Sequence, residues 1–286
     1  MRHMQERRIG EESGGVTSRP WVEQLRELHD ESFRVDWGDH LENLNSELGL
    51  TGRYELSIPA RKCPPSWFVG DVEALEPGRW VLVISLNQKR NNAGEGHNPK
   101  SYWDHWRCLH RKHWYKRFYR PRVRPAATAL GIEITPEEEP GFATNSVIFV
   151  EMCPYASDKS RFSGKDFIRL TQEDPGFQTA ADVWRILIEE ASPALIMVNG
   201  VPAIEALEHL DRDRLTLGEC HTYQSVTTPT KRLWHREGHF TTREHAVPAI
   251  AFPFRSPKAH YSYCDIGRLG DRAQVLVSES SRLSGP

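Results

Sequence analysis

The chain has 286 residues, 38% of them hydrophobic and 27% charged, with a formal net charge of -2. That length and apolar content suffice for one large or two small packed domains, and no apolar run approaches the ~18 residues of a membrane span. A near-neutral average charge argues, taken alone, against a nucleic-acid binder. Residues 1–19 are charged and Gly/Ser-rich and lack an apolar signal region, which predicts a disordered leader. Trp21 to Leu48 places Trp21, Leu25, Leu28, Leu41, Leu44 and Leu48 at helical spacing, with Gly49 as the stop. Arg79 to Leu86, R-W-V-L-V-I-S-L, is a near-continuous β-branched run, the pattern of a strand buried on both faces. Asn145 to Met152, Ala194 to Asn199 and Val247 to Phe252 read the same way. Between the last three lie helical patterns, Asp182 to Ala191 and Pro202 to Leu210.

Strands alternating with helices predict an α/β fold: one three-layer domain over residues 20–275, with a central, mostly parallel four-stranded sheet flanked by helices. Residues 276–286 read as a tail. In such sheets ligands sit beyond the carboxyl ends of the strands, so chemistry is sought in the loops there. Cys63, Cys108, Cys153, Cys220 and Cys264 form no C-x-x-C pair, which argues against zinc or an iron–sulfur cluster and fits reduced thiols in a cytoplasm. No P-loop and no G-x-G-x-x-G occurs. Neither a cofactor nor a metal is expected, nor a membrane partner, and the protein is expected to be a monomer.

The stretch His97 to Arg124 differs in kind. It holds nine Lys or Arg against one acid, Asp104, and seven aromatics. That local +8 leaves about -10 for the remainder, an asymmetry the average conceals. Cations interleaved with rings suit nucleic acid, neutralising phosphates and stacking on unpaired bases. A solvated amphipathic helix whose Trp103, Trp106, Trp114 and Phe118 pack on the domain is the plainer reading. Both are expected in part, aromatics toward the core and Arg111, Lys112, Lys116, Arg117 and Arg120 toward DNA. Arg120, Arg122 and Arg124, bracketed by Pro121 and Pro125, are expected to form an extended basic arm. Glu133 to Glu139 is expected to be a surface loop.

The first buried strand ends in Ser85-Leu86-Asn87-Gln88 and the second in Glu151-Met152-Cys153-Pro154-Tyr155. The third runs through Asn199-Gly200 into a helix, and the fourth ends in Phe252-Pro253-Phe254-Arg255-Ser256-Pro257. In order and spacing, over roughly residues 79 to 265, this set resembles the uracil-DNA glycosylase superfamily, most closely its single-strand-selective and mismatch-specific branches. The resemblance implies a DNA partner and makes Asn87 the residue that positions the attacking water; the alternative is an Asn that merely caps the chain after the strand. Gln88 stands where the family has Pro. Ser256-Pro257 matches the loop that pinches the DNA backbone, adding Ser256 and Lys258 to the expected DNA contacts. The family's His is displaced by Phe252 or Phe254, leaving Arg255 or His260 to donate to the departing base; the alternatives are a base stabilised in another way and a His260 that is simply a surface-loop residue.

Glu151 stands where the family reads uracil with an Asn. An ionised carboxylate only accepts hydrogen bonds and would meet uracil O4 lone pair to lone pair. It accepts from the exocyclic amine of cytosine, and if burial keeps it protonated it also donates to cytosine N3. The alternative is a strand-end Glu in solvent or paired with an arginine. Ser85, Gln88, Cys153 and Tyr155 complete the expected base pocket. Lys89, Arg90 and the neighbouring amides suit sugar hydroxyls, and Arg90 and Arg161 are expected at phosphates. Excision of normal cytosine would destroy the host genome, so the expected substrate is a cytosine modified at C5. The resemblance extends to antiviral glycosylases that attack glucosylated hydroxymethylcytosine in phage DNA. No lysine is placed for a Schiff base, so the expected product is an abasic site. The rivals are a repair glycosylase for uracil or another deaminated base, and a non-catalytic nucleic-acid-binding protein.

Overall fold

A computed structural model describes residues 19–58, 64–65, 67–87, 100, 103–104, 107, 120–156, 164–253 and 262–283. Two helices open it, α1 (Pro20–Ser32) and α2 (Trp37–Glu47). The single apolar pattern of the amino-terminal region is thus split, because Asp36 caps α2 by accepting from the amides of Gly38 and Asp39 at 3.1 and 3.3 Å. The strands follow as β1 (Phe68–Val69), β2 (Val81–Asn87) and, after helices α3 (Arg120–Ala129) and α4 (Glu139–Asn145), β3 (Val147–Cys153). Helices α5 (Gly164–Glu173) and α6 (Pro175–Glu189) lead to β4 (Leu195–Asn199), and α7 (Val201–Leu210) to the hairpin β5 (Leu215–Gln224) and β6 (Arg232–Thr241). Strand β7 (Ala246–Phe252) and the long α8 (Tyr263–Leu283) complete the order. None of the described helices is long and apolar enough to cross a membrane.

The sheet has seven strands in the order β1-β3-β2-β4-β7-β6-β5. Its centre, β3-β2-β4-β7, is parallel, and these are the four apolar runs legible in the sequence. The expected four-stranded sheet is therefore enlarged by antiparallel β1 on one side and the β6–β5 hairpin on the other. The hairpin carries no continuous apolar run because most of β5 is exposed, and β1 is too short to show periodicity. One face of the sheet, with Leu82, Ile84, Ile148, Val150, Ile196 and Val198, packs under α1, α6 and α7. The other, with Val81, Val83, Phe149, Met197 and Ile250, packs under α3 and α8. These are the three layers.

Two local expectations are corrected. Residues 120–124 are not an extended arm but the first turns of α3. Pro121 sits where the helix has no use for an amide, and Pro125 removes only one early hydrogen bond. The second proline packs closely against α8: a Cβ on Gly270 would stand 2.9 Å from the Pro125 Cα. The acidic stretch is not all surface loop either, since Glu139 is buried at the start of α4 and pairs with the Nε of Arg120 at 2.7 Å and of Arg124 at 3.5 Å. Helix α8 also continues past residue 275 to Leu283, through most of the stretch read as a tail.

Candidate active site at the carboxyl edge of the parallel strands

From β2 the chain moves outward to β3, then returns past β2 to β4 and on to β7. The order reverses between β2 and β4, and the crevice beyond the carboxyl ends of those strands is where open α/β sheets bind ligands. Three polar side chains end the apolar runs there. Ser85 on β2 is in register with Glu151 on β3, and Asn199 on β4 is in register with Phe252 on β7. The Asn199 amide donates to the Ser85 hydroxyl at 3.1 Å, which joins β4 to β2 across the reversal. By strand alternation all three point to the α3/α8 face, beyond Val83, Phe149 and Met197. Gly200, at φ 101°, then turns the chain sharply into α7, and its amide donates to the Phe252 carbonyl at 2.8 Å.

Glu151 is only 8% exposed, and its Oε2 has no hydrogen-bond partner. Burial pushes its pKa up to about 8; the positive charge of Arg122 opposes this but does not outweigh it. At neutral pH the group is a carboxylic acid, with one O–H to give and lone pairs to accept. A buried, unsatisfied polar group costs about 1–3 kcal/mol, a cost a ligand can relieve by pairing with it.

Arg122 reaches this face because α3 is helical. Residues 120 and 124 lie one turn apart and hold Glu139, while 122 lies half a turn away, against the sheet, and is buried. Arg122, expected in an extended arm, and Asn199, expected only as the end of the third strand, were not among the expected site residues, although each carries a signal. Asn199 is a polar residue closing an apolar strand before a glycine, and Arg122 alternates with arginines that share the other helix face.

Asn87, the expected water-positioning residue, closes β2 in register with Cys153. Cys153 and Tyr155, expected to touch a base, are instead fully buried in the core on the α1/α6 side. The Cys153 thiol contacts the Tyr155 carbonyl at 3.4 Å, and burial raises its pKa. The Tyr155 hydroxyl donates to Asp174 Oδ1 at 2.8 Å, and Asp174 Oδ2 meets His40 Nε2 at 2.6 Å. This pair thus fastens the turn after β3 to α2 and α6. Arg120 is committed to Glu139. In the basic aromatic segment, Trp103 is buried, as its packing reading required, and its indole donates to Glu73 Oε1 at 3.1 Å. Arg107 clasps Asp71 through Nε and Nη2 at 2.9 and 2.8 Å. Gln88, Arg90, Arg111, Lys112, Lys116, Arg117, Arg161, Arg255, Ser256, Lys258 and His260 lie outside the described residues.

Farther along the α3/α8 face, β6 carries a second polar pair, the buried His235 and the partly buried Glu237. His235 Nε2 meets Glu237 Oε1 at 2.8 Å, and Arg272 of α8 holds Glu237 through Nε and Nη2 at 2.5 and 2.8 Å. Burial depresses the His235 pKa, so the imidazole is neutral and donates through Nε2. Comparison with known proteins adds no assignment: no family model matches the chain, and no curated protein does.

Proposed function

We propose that the protein is a monofunctional DNA glycosylase that hydrolyses the N-glycosidic bond of a flipped base, with a cytosine modified at C5, such as glucosylated 5-hydroxymethylcytosine in phage DNA, as its substrate. The observation that carries this reading is Glu151, a buried neutral acid beside Ser85, which itself meets Asn199 across the point where the strand order reverses. A carboxylic acid supplies the donor that cytosine N3 needs and the acceptor that its N4 amine needs. Extruding the nucleotide costs a few kcal/mol of stacking and pairing, which contacts of this kind offset. In the proposed reaction Asn87 holds the water that adds to the anomeric carbon as the sugar gains oxocarbenium character. Donors aimed at the departing base stabilise its negative charge. The order of the polar strand ends supports the resemblance to the uracil-DNA glycosylase superfamily; in the +8 segment Arg107, Arg120 and Arg124 pair with acids and Arg122 is buried, so the support for a DNA partner comes from its other five cations.

One observation favours a second reading. The repulsion between a carboxylate and uracil O4 holds only for the ionised group. A neutral Glu151 can donate to O4 and accept from N3–H, so repair of uracil gains support from the same raised pKa.

The test uses oligonucleotides holding uracil, 5-hydroxymethylcytosine or its glucosylated form, incubated with the protein and then cleaved with alkali. Breaks at the modified cytosine are expected. Breaks at uracil alone would assign the protein to repair, and DNA binding without breaks on any of the three would leave a non-catalytic binder.

A further inference from the structure

Strand β6 runs antiparallel to β7, so the turn of the β5–β6 hairpin, residues 225–231, stands at the same edge of the sheet as Ser85, Glu151 and Asn199. The register sets the overhang. Arg236 pairs with Ala251, β7 ends at Phe252, and β6 begins at Arg232. Arg232 to Trp234 therefore project past the last residue of β7, roughly 10 Å at ~3.3 Å per residue, before the turn is reached.

The turn is held rigidly. Asp265, fully buried at the start of α8, accepts from the Ser225 hydroxyl and the Val226 amide, each at 2.8 Å. The Ser225 amide donates to the Lys231 carbonyl at 3.0 Å, the Lys231 amide to the Thr228 carbonyl at 2.8 Å, and the Thr228 amide to the Ser225 hydroxyl at 3.1 Å. On this fixed backbone the Val226 side chain is 46% exposed. A single exposed valine is ordinary on a surface. Here it stands near the start of a turn that α8 fastens through Asp265, so its ordering cost is already met by the fold, as in a preorganised contact. The turn's own charge is positive: residues 225–232 contain Lys231 and Arg232 and no Asp or Glu, while Asp265 lies buried beneath the turn and Arg236 is paired with Glu208. Lys231 and Arg232 are exposed.

We infer that the β5–β6 turn is a nucleic-acid contact, in which Lys231 and Arg232 neutralise backbone phosphates while Val226 packs as an apolar wedge against DNA that lies along the sheet edge shared with the candidate site. The wedge's place next to an extruded base rests on the glycosylase reading; the phosphate contact rests on charge and shape alone. Cations on phosphates provide sequence-independent affinity, and apolar side chains inserted at base steps hold a distorted duplex.

The experiment measures binding of the full chain to a fluorescently labelled, unmodified DNA duplex by anisotropy over a range of salt concentrations. The variants are K231A/R232A, Val226→Asp and Val226→Ile, with R212A/R243A as a charge control. Arg212 and Arg243 flank the far ends of the hairpin strands, at the opposite edge of the sheet. For K231A/R232A the slope of log affinity against log salt should fall by about 1.8, two contacts at ~0.9 each. Val226→Asp should weaken binding about tenfold, Val226→Ile should not, and the control should keep the wild-type slope. The inference is overturned if the tip variants bind like the wild type, if the control loses as much, or if the wild-type protein does not bind the duplex. Should Val226→Asp unfold, K231A/R232A still decides the phosphate contact and Val226→Ser the wedge, with melting curves to confirm folding. Loss of binding at the tip with no excision of any base removes the glycosylase reading and leaves the contact standing. Excision with unaltered tip binding removes only the contact.

Discussion

Asn199 on β4 donates its side-chain amide to the Ser85 hydroxyl on β2 at 3.1 Å, across the one place where the order of the parallel strands reverses. The bond fixes both side chains at the rim of the crevice, with Ser85 beside its register partner Glu151. Asn199→Ala removes the donor and leaves the apolar strand beneath it intact. On the proposed glycosylase reading, single-turnover excision should fall by about tenfold to a hundredfold, the equivalent of ~1–3 kcal/mol, with the protein still folded. Wild-type excision by this variant would place the reacting base elsewhere.

Glu151 links the site to pH. Its folded pKa of about 8 lies above the ordinary 4.5, so the folded state holds a proton that the unfolded chain releases. Stability from this group is fully present below pH 4.5 and is lost as pH rises toward 8. Glu151→Gln keeps the shape and removes the titration. It should be more stable than the wild type by on the order of 3 kcal/mol at pH 7, with the difference vanishing near pH 4.5, as read by denaturant melts.

The same titration separates the two substrate readings. Excision of uracil needs the Glu151 proton for O4 and should decline as pH passes about 8. A cytosine amine still finds an acceptor when the group ionises, so its decline should be shallower. Arg122→Leu removes the charge that opposes the shift and should move the midpoint upward.

Gly270 lets α8 approach α3. Gly270→Ala would set a methyl group 2.9 Å from Pro125 Cα and 3.0 Å from Thr128 Cβ, forcing the helices apart. The expected cost is about 1–3 kcal/mol by chemical denaturation. Because α3 carries Arg122, the pH midpoint of Glu151 should shift as well. A purely local effect would leave it unchanged.

His235 contributes in the opposite pH direction. Its folded pKa is depressed below 6.5, so the unfolded chain binds the extra proton, and stability falls as pH drops below 6.5 toward the folded value. His235→Asn should flatten the melting temperature over that acid range. An unchanged acid slope would assign the loss to other groups.

The four parallel strands were legible because their centres are buried on both faces, so the residues there form short apolar runs that need no partner to be recognised. The hairpin and the helical form of residues 120–124 were not, since their stability comes from contacts distant in sequence. Arg236 reaches Glu208, Arg272 reaches Glu237, and Pro125 packs on Gly270. Glu151 was visible as a carboxyl group at a strand end, with two alternative environments. Its neutrality was decided by tertiary burial, which desolvates the charged form more than Arg122 restores it. Tyr155 shows the converse, since its place after a C-P turn suggested a ligand contact and its hydroxyl proved to be held by Asp174. The sequence by itself determined which strands form the parallel core and which polar residues end them. Only the tertiary structure decided which of those residues meet, because strand order, helix faces and desolvation depend on residues far apart along the chain.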